Sequence, residues 1–113
     1  YRVCRHLNVD GEVIPESTIT KPPSAELRPD QRDDQSLPPY EELDPILERY
    51  IERHQSVSDI AAAGFDRSTV ERIVGLVDRA EYKRRQAPVG LRVTSKAFGT
   101  GRRLPIVQRW KHA

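Results

Sequence analysis

The sequence predicts a mostly α-helical segment with long irregular loops, and three observations carry that expectation. Between Tyr40 and Gln86 apolar residues recur at helical spacing. On either side, prolines and glycines interrupt any regular pattern: Pro22, Pro23, Pro29, Pro38 and Pro39 before it, and Gly90, Gly99, Gly101 and Pro105 after it. The composition is also lean for a self-supporting fold, with 36% hydrophobic and 6% aromatic residues, no Met and nine prolines among 113 residues. A single small domain of that length must bury most of its apolar surface to offset chain entropy. With the apolar residues concentrated in the middle, the chain is expected to complete a core whose other half lies elsewhere.

Each element follows from local chemistry. Tyr1–Leu7 reads as a helix entered midway, because Val3, Cys4 and Leu7 share a face and no cap precedes them. Asn8-Val-Asp-Gly11 reads as a turn, and Glu16–Lys21 as a short helical turn stopped by Pro22-Pro23. Residues 22–39 form an irregular strap with charges at Arg28, Asp30, Arg32, Asp33 and Asp34. A stretch this long without periodicity is a linker or a functional loop. Tyr40, Leu43, Ile46, Leu47, Tyr50 and Ile51 then mark an amphipathic helix, with Pro45 expected in its first turn. A short helix Ser58–Ala63 closes at Gly64. Asp66 caps the next helix, whose Val70, Ile73, Val74 and Val77 follow i, i+3, i+4, i+7 spacing. That helix is expected to run to about Arg85, before Ala87-Pro88. The tail is loop-like, with one short extended piece at Leu91–Thr94.

The net charge of +2 conceals an asymmetry. From Tyr82 onward there are nine basic residues and no acidic one, so a +9 tail follows a −7 body. The tail is expected to meet an anionic partner or to lie over its own acidic body. Cys4, the only cysteine, forms neither an intrachain disulfide nor a zinc site. With no apolar run long enough to cross a bilayer and no signal peptide visible, a cytoplasmic location and no membrane partner are expected.

Three motifs carry functional possibilities. Ser58–Val74 has the outline of a helix-turn-helix, but Ile60 to Gly64 is one residue short of the usual spacing. Asp66 and Glu71 on its second helix would repel phosphates, so packing is the better reading and no nucleic-acid partner is expected. In Ile14-Pro-Glu-Ser-Thr-Ile-Thr-Lys-Pro-Pro-Ser-Ala-Glu-Leu27, prolines restrain Lys21 at the head of the strap. A compact ammonium so placed suits a polyphosphate oxygen, although a lone surface lysine is usually only that. In Arg79-Ala-Glu-Tyr-Lys-Arg-Arg-Gln-Ala-Pro88, a continuous helix would set Lys83 roughly 130° from the apolar stripe, free to meet a ligand. Glu81 and Arg84 fall near the stripe at i, i+3 and would pair at a helix junction.

In this order the motifs resemble the C-terminal part of the glutamine-dependent NAD synthetases. The resemblance rests on Ile14–Pro29, Ser36-Leu-Pro-Pro-Tyr-Glu-Glu-Leu-Asp44, Glu81-Tyr-Lys-Arg-Arg-Gln-Ala-Pro88, Thr94-Ser-Lys-Ala-Phe-Gly99 and Arg102-Arg-Leu-Pro-Ile106. It implies the C-terminal part of an α/β ligase domain of the adenine nucleotide alpha-hydrolase-like type, whose parallel sheet lies outside this chain. It also implies four segments: residues 1–21 ending the nucleotide-binding core, a mobile closing loop at 22–39, a helical segment at 40–86, and a basic tail at 87–113.

The same resemblance implies an activity. Members of the family adenylylate deamido-NAD with ATP and Mg²⁺, then amidate it with ammonia from a glutaminase domain. Lys21 matches the position of the family's ATP-phosphate lysine, and Lys83 that of its deamido-NAD-binding lysine. Implied partners are ATP, deamido-NAD, the rest of the synthetase domain, a glutaminase domain and further copies in a homo-oligomer. Ammonia-only members carry His-Lys at the positions of Tyr82-Lys83, and Asp at the position of Glu26. Neither the Ser-Gly-Gly phosphate loop nor the glutaminase nucleophile is present, so no catalytic residue and no metal ligand is assigned here. The rivals are a helix-turn-helix DNA-binding module and a noncatalytic interaction domain.

Overall fold

In a computed structural model, the described residues are 1–24, 27–99 and 101–107. Among them every regular element is helical and none is a strand, so the extended piece expected at Leu91–Thr94 is absent. Ala25, Glu26, Thr100 and 108–113 lie outside the described residues, and with them the expectation on Glu26 and the end of the basic tail. The chain divides into two compact units, Tyr1–Pro38 and Pro39–Ala113.

The first unit holds two short helices, α1 (Arg2–Leu7) and α2 (Glu16–Thr20). No residue of α1 is buried, and the expected face of Val3, Cys4 and Leu7 is largely exposed. The turn after it depends on Asn8. Its Oδ1 accepts the N–H groups of Val13 and Ile14 at 3.0 and 2.9 Å, and its Nδ2 donates to the Ile14 carbonyl at 2.8 Å. Gly11 takes φ +144°, a conformation open to glycine at no steric cost. Helix α2 buries Ile19 and ends where Pro22-Pro23 forbids continuation.

The strap beyond it is internally bonded. The Asp33 N–H donates to the Pro23 carbonyl at 3.0 Å and closes a loop. Gln31 Oε1 accepts the Leu27 N–H at 3.0 Å, while Gln35 bridges the Arg32 N–H and the Asp30 carbonyl. Asp33–Gln35 forms one 3₁₀ turn, and Asp30 sits at φ 53°, a left-handed conformation that Asp tolerates better than most residues.

The second unit contains the main core. Helix α3 (Tyr40–Leu47) leads into a π-helical turn, Glu48–Glu52. Helices α4 (Val57–Ala62), α5 (Arg67–Arg79) and α6 (Glu81–Gln86) follow. Helix α5 packs against α3, α4 and α6, and the π turn packs against α3 and α4. Their shared interior consists of Leu43, Ile46, Tyr50, Ile51, Val57, Ile60, Val70, Ile73 and Val74. Full burial of Ile46, Val57, Ile60 and Val70 contributes about 1.5–3 kcal/mol for each side chain. The expected stripes are thus realised, with Tyr40, Leu47 and Val77 only half-buried at their margins.

Two expectations on this unit are corrected. Pro45 is the sixth residue of α3, not part of its first turn, so the helix begins early enough to forfeit an interior hydrogen bond there. Helix α5 does not run to Arg85. Ala80, at φ −82° and ψ 7°, interrupts it, and α6 starts afresh at Glu81.

The caps follow the sequence closely. Ser56 and Asp59 form a reciprocal capping box on α4, and Asp66 accepts the Thr69 N–H at 2.8 Å to start α5. These bonds hold both carboxyls below the usual carboxylate range, Asp59 through Ser56 and Asp66 through Ser68 and Thr69. Gly64, at φ +101°, makes the turn between α4 and α5.

Candidate functional site: two lysines on different supports

Lys21 is the residue immediately after α2. Its N–H still donates to the Ser17 carbonyl at 3.1 Å, but its ψ of 126° takes the chain out of the helix. The side chain is exposed and lines an open groove of about 680 Å³ formed by the strap. Arg28 and Arg32 line the same groove, together with Asp30. Among the described residues Lys21, Arg28 and Arg32 bring cationic groups to one groove, a surface chemistry suited to phosphate oxygens. Sequence reasoning noted Arg28 and Arg32 only as strap charges. Nothing in their spacing shows that the Pro23–Asp33 bond folds them back toward Lys21.

Lys83 lies on the outer face of α6. It is exposed, with its Nζ 6.0 Å from the centre of the Tyr82 ring. The residues beneath it are tightly bonded. Glu81 is 2% exposed and is the one buried charged residue among those described. Its carboxylate accepts from Arg84 Nη2 at 2.6 Å and from Arg85 Nε at 3.2 Å, and the Leu104 N–H donates to it as well. Burial alone would raise the Glu81 carboxyl, but the hydrogen bonds from Arg84, Arg85 and Leu104 outweigh it and leave it lowered. The Glu81–Arg84 pairing expected from i, i+3 spacing is therefore present, at the junction of two separate helices.

A second polar node lies inside the helical unit. Tyr50 Oη donates to both carboxylate oxygens of Asp78 at 2.9 and 3.0 Å. Arg102 Nη2 reaches Asp78 Oδ1 at 3.3 Å, and the Arg102 guanidinium stacks 4.3 Å from the Tyr50 ring centre. Burial and the bond to Asp78 push the Tyr50 hydroxyl up to about 12. Sequence reasoning placed Tyr50 in an apolar stripe and missed this node. The available signal was chemical, since a buried tyrosine hydroxyl must find a partner. Arg102 and the Leu104 backbone thus bring part of the basic tail onto its own acidic body.

No group of three or more His, Cys, Asp or Glu that could hold a metal ion occurs among the described residues. None of the helices they form is long and apolar enough to cross a membrane. The arrangement can bind anions at the strap groove and at Lys83, on two differently built supports.

Comparison with known proteins assigns the class. A sequence profile of the NAD synthase family matches residues 1–87, and the chain belongs to that family. Among its relatives, the glutamine-dependent NAD(+) synthetase of Acinetobacter baylyi is 61% identical over 113 residues, covering 98% of this chain and 21% of the relative. Those of Synechocystis sp. and Thermotoga maritima are 55% and 47% identical, covering 96% and 98% of this chain and 19% and 20% of theirs. The solved structure of glutamine-dependent NAD+ synthetase from Acinetobacter baumannii in complex with adenosine diphosphate is similar at a TM-score of 0.66 and 42% identity. It aligns with 99% of this chain and 19% of its own. The chain therefore spans about a fifth of the length of the relatives it matches.

Proposed function

We propose that this chain is the C-terminal part of a glutamine-dependent NAD synthetase and supplies two anion-binding lysines to its ligase domain. The observation that carries this reading is the 61% identity across nearly the whole chain to a relative of that name. The nucleotide in the Acinetobacter baumannii complex supports ATP as a substrate here. The family assignment lends no support to a DNA-binding role, and Glu71 on the second helix of that motif is paired with Arg67 at 2.9 Å.

The reaction takes place in two steps. A carboxylate oxygen of deamido-NAD attacks the α-phosphorus of Mg·ATP, and pyrophosphate leaves. Ammonia released from glutamine then attacks the adenylylated carbonyl carbon, AMP leaves, and NAD results. Bringing two polyanions together requires cations and the exclusion of water. Lys21, with the strap at 22–39 closing as a mobile loop, meets the ATP phosphates as charge moves onto pyrophosphate. Lys83 holds deamido-NAD through charge that persists throughout. The parallel sheet, the phosphate loop and the glutaminase belong to the remainder of the polypeptide, in a cytoplasmic homo-oligomer.

The test is the complete polypeptide assayed with Mg·ATP, deamido-NAD and either glutamine or ammonia. Equimolar NAD, AMP and pyrophosphate are expected. ADP and phosphate as products, or no consumption of deamido-NAD, would refute the reading. Residues 1–113 expressed alone are expected to make no NAD.

A further inference from the structure

Helix α6 carries Lys83 but has only six residues, too few to persist without outside support. It is also set off from α5 by the break at Ala80. Part of its support comes from the tail. Arg85 Nη2 donates to the Leu104 carbonyl at 2.8 Å, while the Leu104 N–H donates to Glu81. Both backbone groups of one tail residue are therefore held by side chains one turn apart on α6. Arg84 completes the attachment. Its Nη1 donates to the Val77 carbonyl of α5 at 2.6 Å, and its guanidinium lies 4.8 Å from the Phe98 ring centre.

Glu81, Arg84 and Arg85 fall within an arc of about 100° on α6, and Lys83 stands about 150° around from the middle of that arc at 3.6 residues per turn. One face is gripped and the opposite face presents the ammonium. From this geometry we infer that Glu81 and Arg85 are positioning residues for deamido-NAD binding, which clamp Leu104 and thereby fix the roll of α6 and the direction of Lys83. The inference rests on the proposed role of Lys83. Glu81 also separates the two guanidiniums it binds. Without its charge Arg84 and Arg85 would repel each other, and the bond from the Leu104 N–H would weaken. A lysine delivered by a fixed helix binds its ligand without first paying for helix ordering.

The experiment uses the complete synthetase with free ammonia as nitrogen donor, so that the glutaminase does not limit the rate. Arg85→Ala is the primary variant, because its half-exposed side chain leaves no buried void. Glu81→Gln is the second. Arg85→Ala is expected to raise KM for deamido-NAD roughly three- to tenfold, and Glu81→Gln by roughly tenfold, with kcat and the KM for ATP unchanged. Adding Lys83→Ala to Arg85→Ala should raise KM no further than Lys83→Ala alone, since a clamp acts only through the lysine it aims. Effects that add fully with Lys83→Ala, or that fall equally on ATP, would overturn the inference and mark the clamp as general scaffold. If Lys83→Ala raises KM while both clamp variants stay at wild type, the clamp is refuted and the role of Lys83 stands. A normal KM in Lys83→Ala itself would remove the reading on which the inference depends.

Discussion

The strap and the helical unit are held together by different forces. In residues 1–38 the one buried apolar side chain among those described is Ile19, and the strap owes its shape to hydrogen bonds made by Gln31, Gln35 and the Asp33 N–H. Among the described residues from Pro39 onward nine apolar side chains are buried together. An exposed hydrogen bond adds about 1 kcal/mol net, because water offers nearly the same bond. Burying an isoleucine adds about 1.5–3 kcal/mol, and packed neighbours reinforce one another. The strap can therefore be rearranged at little cost, while the helical unit resists. Lys21 is carried on the adjustable support and Lys83 on the helical unit, the division that the proposed closing loop and binding surface would require.

The largest expected effect is in the fixed half. Ile60→Ala in the complete synthetase should lower the opening free energy of α4 and α5 amides by about 2–5 kcal/mol, read by hydrogen exchange. Gln35→Ala in the strap should cost those helices nothing measurable, while speeding exchange at the Arg32 amide that Gln35 holds. If the strap variant destabilised α5 as much as the core variant, the two regions would be one cooperative body.

The Tyr50–Asp78–Arg102 node gives an effect of intermediate size with a pH signature. The Tyr50 hydroxyl is raised from near 10 to about 12, so the fold favours its protonated form. Its contribution is complete below pH 10 and is lost as pH rises from there to about 12, by at most roughly 2–3 kcal/mol. Exchange protection of α5 should fall across that window in the wild type, and Tyr50→Phe should flatten the fall. The capping carboxyls of Asp59 and Asp66 are lowered, so their contributions are present above the ordinary carboxylate range and are lost on acidification through their lowered values. Asp66→Ala should destabilise the start of α5 near neutral pH and progressively less as pH falls.

The smallest structural effect concerns ligand. Amide exchange at Leu27, Arg32 and Asp33 should slow when Mg·ATP and deamido-NAD are added to the complete enzyme, while α4 and α5 stay as they were. Equal protection at those three amides with and without ligand would make the strap a static linker.

Much of the helical unit was legible in the sequence because its signals are local. Asp66 caps α5 as its residue type demands, and the 3.6-residue period identified Leu43, Ile46, Val70, Ile73 and Val74 as interior, while the Ser56–Asp59 box that starts α4 was passed over. The break at Ala80 was not legible, since alanine carries no stop signal. The strap's internal bonds were missed for a related reason. Gln31 and Gln35 have no periodic signature, and their partners are backbone groups any residue could supply. Lys21 and Lys83 were singled out on motifs. What the structure adds is the company they keep: Arg28 and Arg32 beside the first, and the Glu81 clamp beneath the second. The link from Arg102 to Asp78 spans a sequence separation that no short-range pattern encodes.

The central claim is that the adjustable lysine acts on the reaction and the fixed lysine acts on binding. Steady-state kinetics of Lys21→Ala and Lys83→Ala in the complete synthetase, with glutamine and with free ammonia, test it most directly. Lys21→Ala should lower kcat with both nitrogen donors, because adenylylation precedes nitrogen transfer on either route. Lys83→Ala should leave kcat near wild type and raise KM for deamido-NAD by roughly tenfold or more. A loss of kcat in Lys83→Ala with Lys21→Ala altered only in KM, or normal kinetics for ATP and deamido-NAD in both, would contradict the account.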